Sequence, residues 1–131
     1  MVTTKGTGVY IAYPRREKFR VAHTGPGTLV NWRHTKIGFA TDSFHSSAAH
    51  YRKVFNNQVK FIPLAEVAPQ ELSQLEKKVM SAMKKRFEQV GASHYWFNTQ
   101  DRAAIIALVY SLLSPAANET EDYEASLEKT G

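Results

Sequence analysis

Residues 69–90 carry the pattern that most narrows the folds open to this chain. Leu72, Leu75, Val79, Met83, Phe87 and Val90 recur at helical spacing and make one apolar stripe. Lys77, Lys78, Lys84, Lys85 and Glu88 lie off that stripe. A helix with a single apolar stripe needs a second layer of structure to cover it. Pro69 suits the first turn and Gly91 the stop, so the spacing predicts a helix to about Val90.

The covering layer is read from three segments rich in β-branched and aromatic residues. "GVYIAY" (8–13), the part of "TLVNWRHTKIGFA" from Lys36 to Ala40, and "VKFIPLAEV" (59–67) are predicted strands. Pro63 makes the last of these an edge strand or a bulged one. "RREKFRVAH" (15–23) reads as a charged turn running into an edge strand, and "TGPG" (24–27) as a loop. Thr41, Asp42 and Ser43 are candidate N-caps for a helix to about Phe55, with Phe44, Ala48, Tyr51 and Phe55 inward and "NNQ" (56–58) as the turn after it. "HYWFN" (94–98) is a short aromatic segment, better read as core than as a platform for bases. Thr99, with Asp101 in the first turn, opens a last helix to about Leu113, closed by Pro115. The expected fold is α+β: a small mixed or antiparallel sheet of about three strands flanked by helices, with an extra C-terminal helix.

Charge divides the chain in two. Residues 1–114 hold 16 Lys or Arg against 7 Asp or Glu, whereas residues 115–131 hold 5 acids and 1 lysine. One domain over 1–114 and an acidic, disordered tail over 115–131 are expected. A basic body suits a polyanion, and nucleic acid, DNA above all, is the first partner to consider. The chain has no cysteine, which excludes a disulfide framework and Cys-based zinc sites. The N-terminus lacks a signal-peptide core, and the longest apolar run, residues 103–113, is shorter than the roughly 20 residues a bilayer requires. An intracellular, cytoplasmic protein with no membrane partner is expected. The last helix is apolar nearly all round, so it either enters the core or makes a homodimer contact.

Several polar residues stand where a core prefers none. Glu76 falls about 40° from the centre of the apolar stripe on a helical wheel. An unpartnered carboxylate there would cost several kcal/mol, so a metal ion or a pair with Arg86 is expected to hold it. Tyr10 lies within the first strand, Lys36 opens the second, Arg52 edges the first helix, and Asn98 follows Trp96 and Phe97.

Taken in order, these residues resemble the GIY-YIG nuclease superfamily. "GVY" (8–10) stands for its first motif and "KIG" (36–38) for its second, in a variant with lysine for the first tyrosine. A helix, a strand and a helical glutamate at Glu76 follow, and "YWFN" stands where many phage-type members have an acidic or polar residue before Trp-Phe. The resemblance spans residues 8–98. It implies a DNA endonuclease using Mg²⁺ or Mn²⁺ held by Glu76, with Tyr10 activating or orienting water, Lys36 assisting it or neutralising the phosphate, Arg52 stabilising the developing charge and Asn98 bracing the site. His50 is a further candidate for proton transfer, at a place where some homing-endonuclease members have histidine. The family's arginine falls early in the helix after the second motif. Counting from Gly38, that place holds Ser46 or Ser47, and Arg52 takes the role if the helix start carries an insertion. The alternatives are an inactive relative that binds nucleic acid, and an adaptor that binds a protein partner through its last helix or tail.

Overall fold

The computed structural model describes residues 5–15, 19–21, 28–91 and 95–113. The chain is α+β. Strand β1 (Gly8–Pro14), a ribbon of β2 (Phe19–Val21) and β3 (Thr28–Val30), and β4 (Thr35–Ala40) precede helix α1 (Phe44–Val54). Strand β5 (Val59–Glu66), helix α2 (Pro69–Arg86), strand β6 (Trp96–Phe97) and helix α3 (Arg102–Leu112) follow. Four strands form an antiparallel sheet in the order β5-β1-β4-β6. Among the described residues β2 and β3 pair only with each other, so the edge strand expected over 15–23 belongs to a separate ribbon.

Central strand β1 explains its own sequence. Successive side chains of a strand point to opposite faces, and β1 is covered on both. Val9 and Ile11 enter a core with Leu72, Leu75, Val79 and Met83 of α2 and Ile105, Leu108 and Val109 of α3. Tyr10 and Ala12 enter the other core, with Phe44, Tyr51 and Phe55 around α1. The near-continuous apolar run of "GVYIA" is therefore a consequence of two covered faces. The stripe of α2 is covered by the sheet and by α3, whose Ile105, Leu108 and Val109 enter the core.

Local chemistry sets the element ends. The Ser43 side chain accepts from the Ser46 amide at 2.9 Å and starts α1, and Asp101 accepts from the Ala104 amide at 3.0 Å and starts α3. Asn56 and Asn57 take left-handed backbone (φ 50° and 62°) and turn the chain from α1 into β5. β5 is an edge strand, and its register against β1 slips between Val9 and Tyr10, opposite the stretch from Pro63 to Ala65. Pro63 is thus both at an edge and beside a bulge.

Helix α2 ends four residues before the expected Val90. Phe87 turns extended (φ −129°, ψ 149°), and the chain then runs alongside β6, with the Val90 amide donating to the Trp96 carbonyl and the Asn98 amide to the Glu88 carbonyl. Gly91 has the left-handed backbone (φ 54°) of a helix stop, but it follows this extended stretch instead. Trp96 and Phe97 are fully buried, so the aromatic segment is core. No helix among the described residues is long and apolar enough to cross a membrane. The 24–27 loop, His94 and the acidic tail lie outside the described residues.

Candidate active site at the open edge of β4

Residues Tyr10 and Gly38 are direct partners across the β1–β4 ladder. Directly opposed residues point to the same face, so the Tyr10 ring lies over Gly38. A methyl group at 38 would overlap the Tyr10 ring atoms, which is why glycine stands there. The two short motifs "GVY" and "KIG" are therefore one structural unit, each requiring the other.

Around this unit the sheet leaves a gap. Of β4, β6 pairs with Thr35 and Lys36, and the Ile37 amide donates to the Tyr95 carbonyl beyond it. From Gly38 onward, β4 has no further strand on that side among the described residues. Side chains from both faces can meet around such an edge. A cavity of about 260 Å³ lies there, lined by Tyr10, Lys36, Gly38, Phe39, Glu76 and Tyr95. Tyr10, Lys36 and Phe39 also line an adjoining space of about 510 Å³, which extends along α1 to His50, Tyr51 and Ser46.

The α1 side of the site is a phenol and amine cluster. The Tyr10 hydroxyl donates to the Tyr51 hydroxyl at 3.0 Å, and the two rings meet edge to face at 5.7 Å. Lys36 Nζ stands 4.8 Å from the centre of the Tyr51 ring. Burial penalises the charged ammonium and lowers the Lys36 pKa to about 8. The same burial raises the Tyr10 and Tyr51 phenols and keeps both protonated. This side therefore offers two hydroxyls and an amine that exchanges its proton near neutral pH.

The α2 side holds the carboxylate. Glu76 is half-buried and its Oε2 accepts a 2.7 Å hydrogen bond from the Tyr95 hydroxyl. That bond, with burial second, pushes the Tyr95 phenol up to about 12. The expected alternative partner, Arg86, is ten residues along α2, about 15 Å at the helical rise, so a direct pair is out of reach. Its guanidinium lies over Phe87, 5.5 Å from the ring centre.

Of the residues singled out from sequence, Tyr10, Lys36 and Glu76 meet at the 260 Å³ cavity and His50 lines its neighbour. Arg52 is exposed on α1 and lines neither space. Asn98 is exposed, with its amide 3.4 Å from Glu88 Oε1, and it too lines neither. Two residues that complete the site were not singled out for it, Tyr51 and Tyr95. Tyr51 reads in sequence as an inward residue of α1, and nothing in the local pattern tells that its hydroxyl meets Tyr10. The contact of Tyr95 with Glu76 bridges 19 residues and exists only in the folded chain.

No family model, no curated protein and no solved structure matches this chain.

Proposed function

We propose that this chain is a divalent-metal-dependent endonuclease of the GIY-YIG kind that hydrolyses DNA phosphodiester bonds. The observation that carries the proposal is the convergence of Tyr10, Lys36, Gly38 and Glu76 on one cavity, from two strands and a helix in the order the resemblance requires. The excess of cations over acids in residues 1–114 supports a polyanionic substrate.

The donor set fits a hard, hydrated ion. Glu76 is the carboxylate on this cavity, and the described residues contain no group of three or more His, Cys, Asp or Glu that could enclose a metal. A single carboxylate suits Mg²⁺ or Mn²⁺, which keep water ligands and share phosphate oxygens, and does not suit a closed zinc site. Glu76 would hold the ion and Tyr95 would fix the carboxylate that does so. The ion would supply charge neutralisation at the phosphate.

Attack by water breaks the bond from phosphorus to the leaving oxygen, which takes its proton from solvent, and the chain's own groups handle the attacking water. Lys36 in its neutral form accepts the proton of the attacking water, since its lowered pKa leaves a share of free amine near neutral pH. Tyr10 stays protonated and orients that water through its hydroxyl. His50, at the rim, is placed to exchange protons with solvent. The test is conversion of supercoiled plasmid and branched DNA to nicked or linear products in Mg²⁺ or Mn²⁺. Products that vanish with a chelator support the proposal, and intact DNA in every condition refutes it.

The second reading is an inactive relative that binds nucleic acid, and the exposed position of Arg52 favours it, because Lys36 is the cation lining the cavity. An adaptor or homodimer acting through the last helix loses support, since Ile105, Leu108 and Val109 are buried in the core.

A further inference from the structure

Beside the cavity at β4 lies a larger groove on the outer side of α2. It has a volume of about 600 Å³ and is lined by Ser73, Lys77, Ser81 and Lys84, with Met80 among them. Glu76 and Tyr95 line both this groove and the 260 Å³ cavity, so the two adjoin at that pair. The groove residues recur at intervals of three and four, which puts them on one face of the helix.

This face is not an ordinary solvated one laced with ion pairs. The positions three and four residues from Lys77 are Ser73, Gln74, Met80 and Ser81, none of them acidic. For Lys84 the one acid in reach by spacing is Glu88, which lies beyond the end of α2 at Arg86 and faces the Asn98 amide. Two cations and two hydroxyls thus line a groove whose one carboxylate, Glu76, sits at its junction with the cavity. Seven residues of helix separate Lys77 from Lys84, about 10 Å at the helical rise. At roughly 3.4 Å of axis per nucleotide of one strand, that is about three nucleotide steps.

We infer that the α2 groove is the track for the phosphodiester backbone leading into the cavity, with Lys77 and Lys84 as its phosphate contacts and Ser73 and Ser81 as hydroxyl donors beside them. The inference rests on the nucleic-acid reading of the cavity and assigns the strand's path across it. Contacts of this kind position a strand without reading its sequence. The track is independent of chemistry in the cavity, so it holds for an enzyme and for an inactive binder alike.

The test is fluorescence-anisotropy binding of labelled duplex DNA, single-stranded DNA and RNA over a series of salt concentrations, in chelator so that no cleavage intervenes. Wild type is compared with Lys77→Ala, Lys84→Ala and the double variant. Lys60→Ala removes the same charge from β5, at the opposite edge of the sheet, and serves as the control. Each groove lysine lost should lower the slope of log affinity against log salt by about 0.9 on a duplex, or about 0.7 on a single strand, and weaken binding on all sequences alike. The size of the step tells which form of strand the groove takes, and Lys60→Ala should leave the slope unchanged. Binding by wild type with the same affinity and slope in the double variant overturns the track while leaving the cavity reading intact. No binding of any probe by folded wild type overturns both. Lysine-dependent binding without cleavage keeps the track and removes the enzyme.

Discussion

Gly38→Ala is the sharpest probe of how the site is built. The added methyl would occupy space held by the Tyr10 ring, whose nearest atoms are Cζ, Oη and Cε1. On the side of α1 and β5 the ring is hemmed in. It lies 4.4 Å from Phe61 and 5.7 Å from Tyr51 between ring centres, and Tyr10 is 6% exposed. Forcing a methyl into a packed core of this kind costs about 1–3 kcal/mol. In a domain of this size that lowers the melting temperature by about 5–20 °C. In a Tyr10→Leu background the obstructing ring atoms are gone. There Gly38→Ala should be neutral or stabilising, because alanine in a strand loses less backbone freedom than glycine by about 0.5–1 kcal/mol. The coupling between the two substitutions should therefore be about 1–4 kcal/mol, read from urea midpoints of the four proteins at constant m. An equal cost of Gly38→Ala in both backgrounds, or none in either, refutes the claim that Tyr10 and Gly38 form one unit.

Stability should rise with pH across the window that Lys36 opens. Its folded pKa is near 8 against an ordinary 10.5, so between these values the unfolded chain binds more protons and the folded state gains. The Tyr10, Tyr51 and Tyr95 phenols, all raised above 10.0, act in the opposite sense only above that pH, so denaturant melts from pH 7 to 10 should climb in wild type and flatten in Lys36→Met. Identical profiles would contradict the buried amine. Asp101→Ala removes the cap of α3 and should cost about 1 kcal/mol in urea unfolding, whereas Asp101→Asn should keep most of it. Tyr95→Phe should leave the melting temperature nearly unchanged and raise the Mg²⁺ concentration needed for half-maximal cleavage by about tenfold or more, since it removes the donor that orients Glu76. An unchanged Mg²⁺ titration would remove Tyr95 from the site.

The sequence carried the fold where local chemistry and burial agree. Ser43 announces a helix start, the two asparagines at 56 and 57 a reversal, and Pro63 an irregular edge, whereas α3 is capped by Asp101, two residues after the expected Thr99. It misled where two kinds of structure share one pattern. Phe87 and Val90 keep the helical period of α2, yet the chain has already become extended and pairs with β6, which makes a fourth strand out of a segment too short to stand out. Around the cavity at β4, Tyr10, Lys36 and Glu76 stand together, and each is legible in the sequence as a polar residue where a core prefers none. Their partners were not. Glu76 and Arg86 look like neighbours on a wheel, but a wheel discards the distance along the axis. Tyr95 and Tyr51 are joined to the site by hydroxyl contacts across 19 and 41 residues, which no local spacing encodes.

Single-turnover cleavage of end-labelled DNA in Mg²⁺, by wild type and by Glu76→Gln at matched folding, bears most directly on whether the cavity at β4 hydrolyses phosphodiesters. Wild type should cleave, and Glu76→Gln should be slower by about 10²–10³-fold, since the substitution removes the charge that would hold the ion and several kcal/mol of transition-state stabilisation with it. Equal rates in the two proteins, or no product from folded wild type, would contradict the nuclease reading.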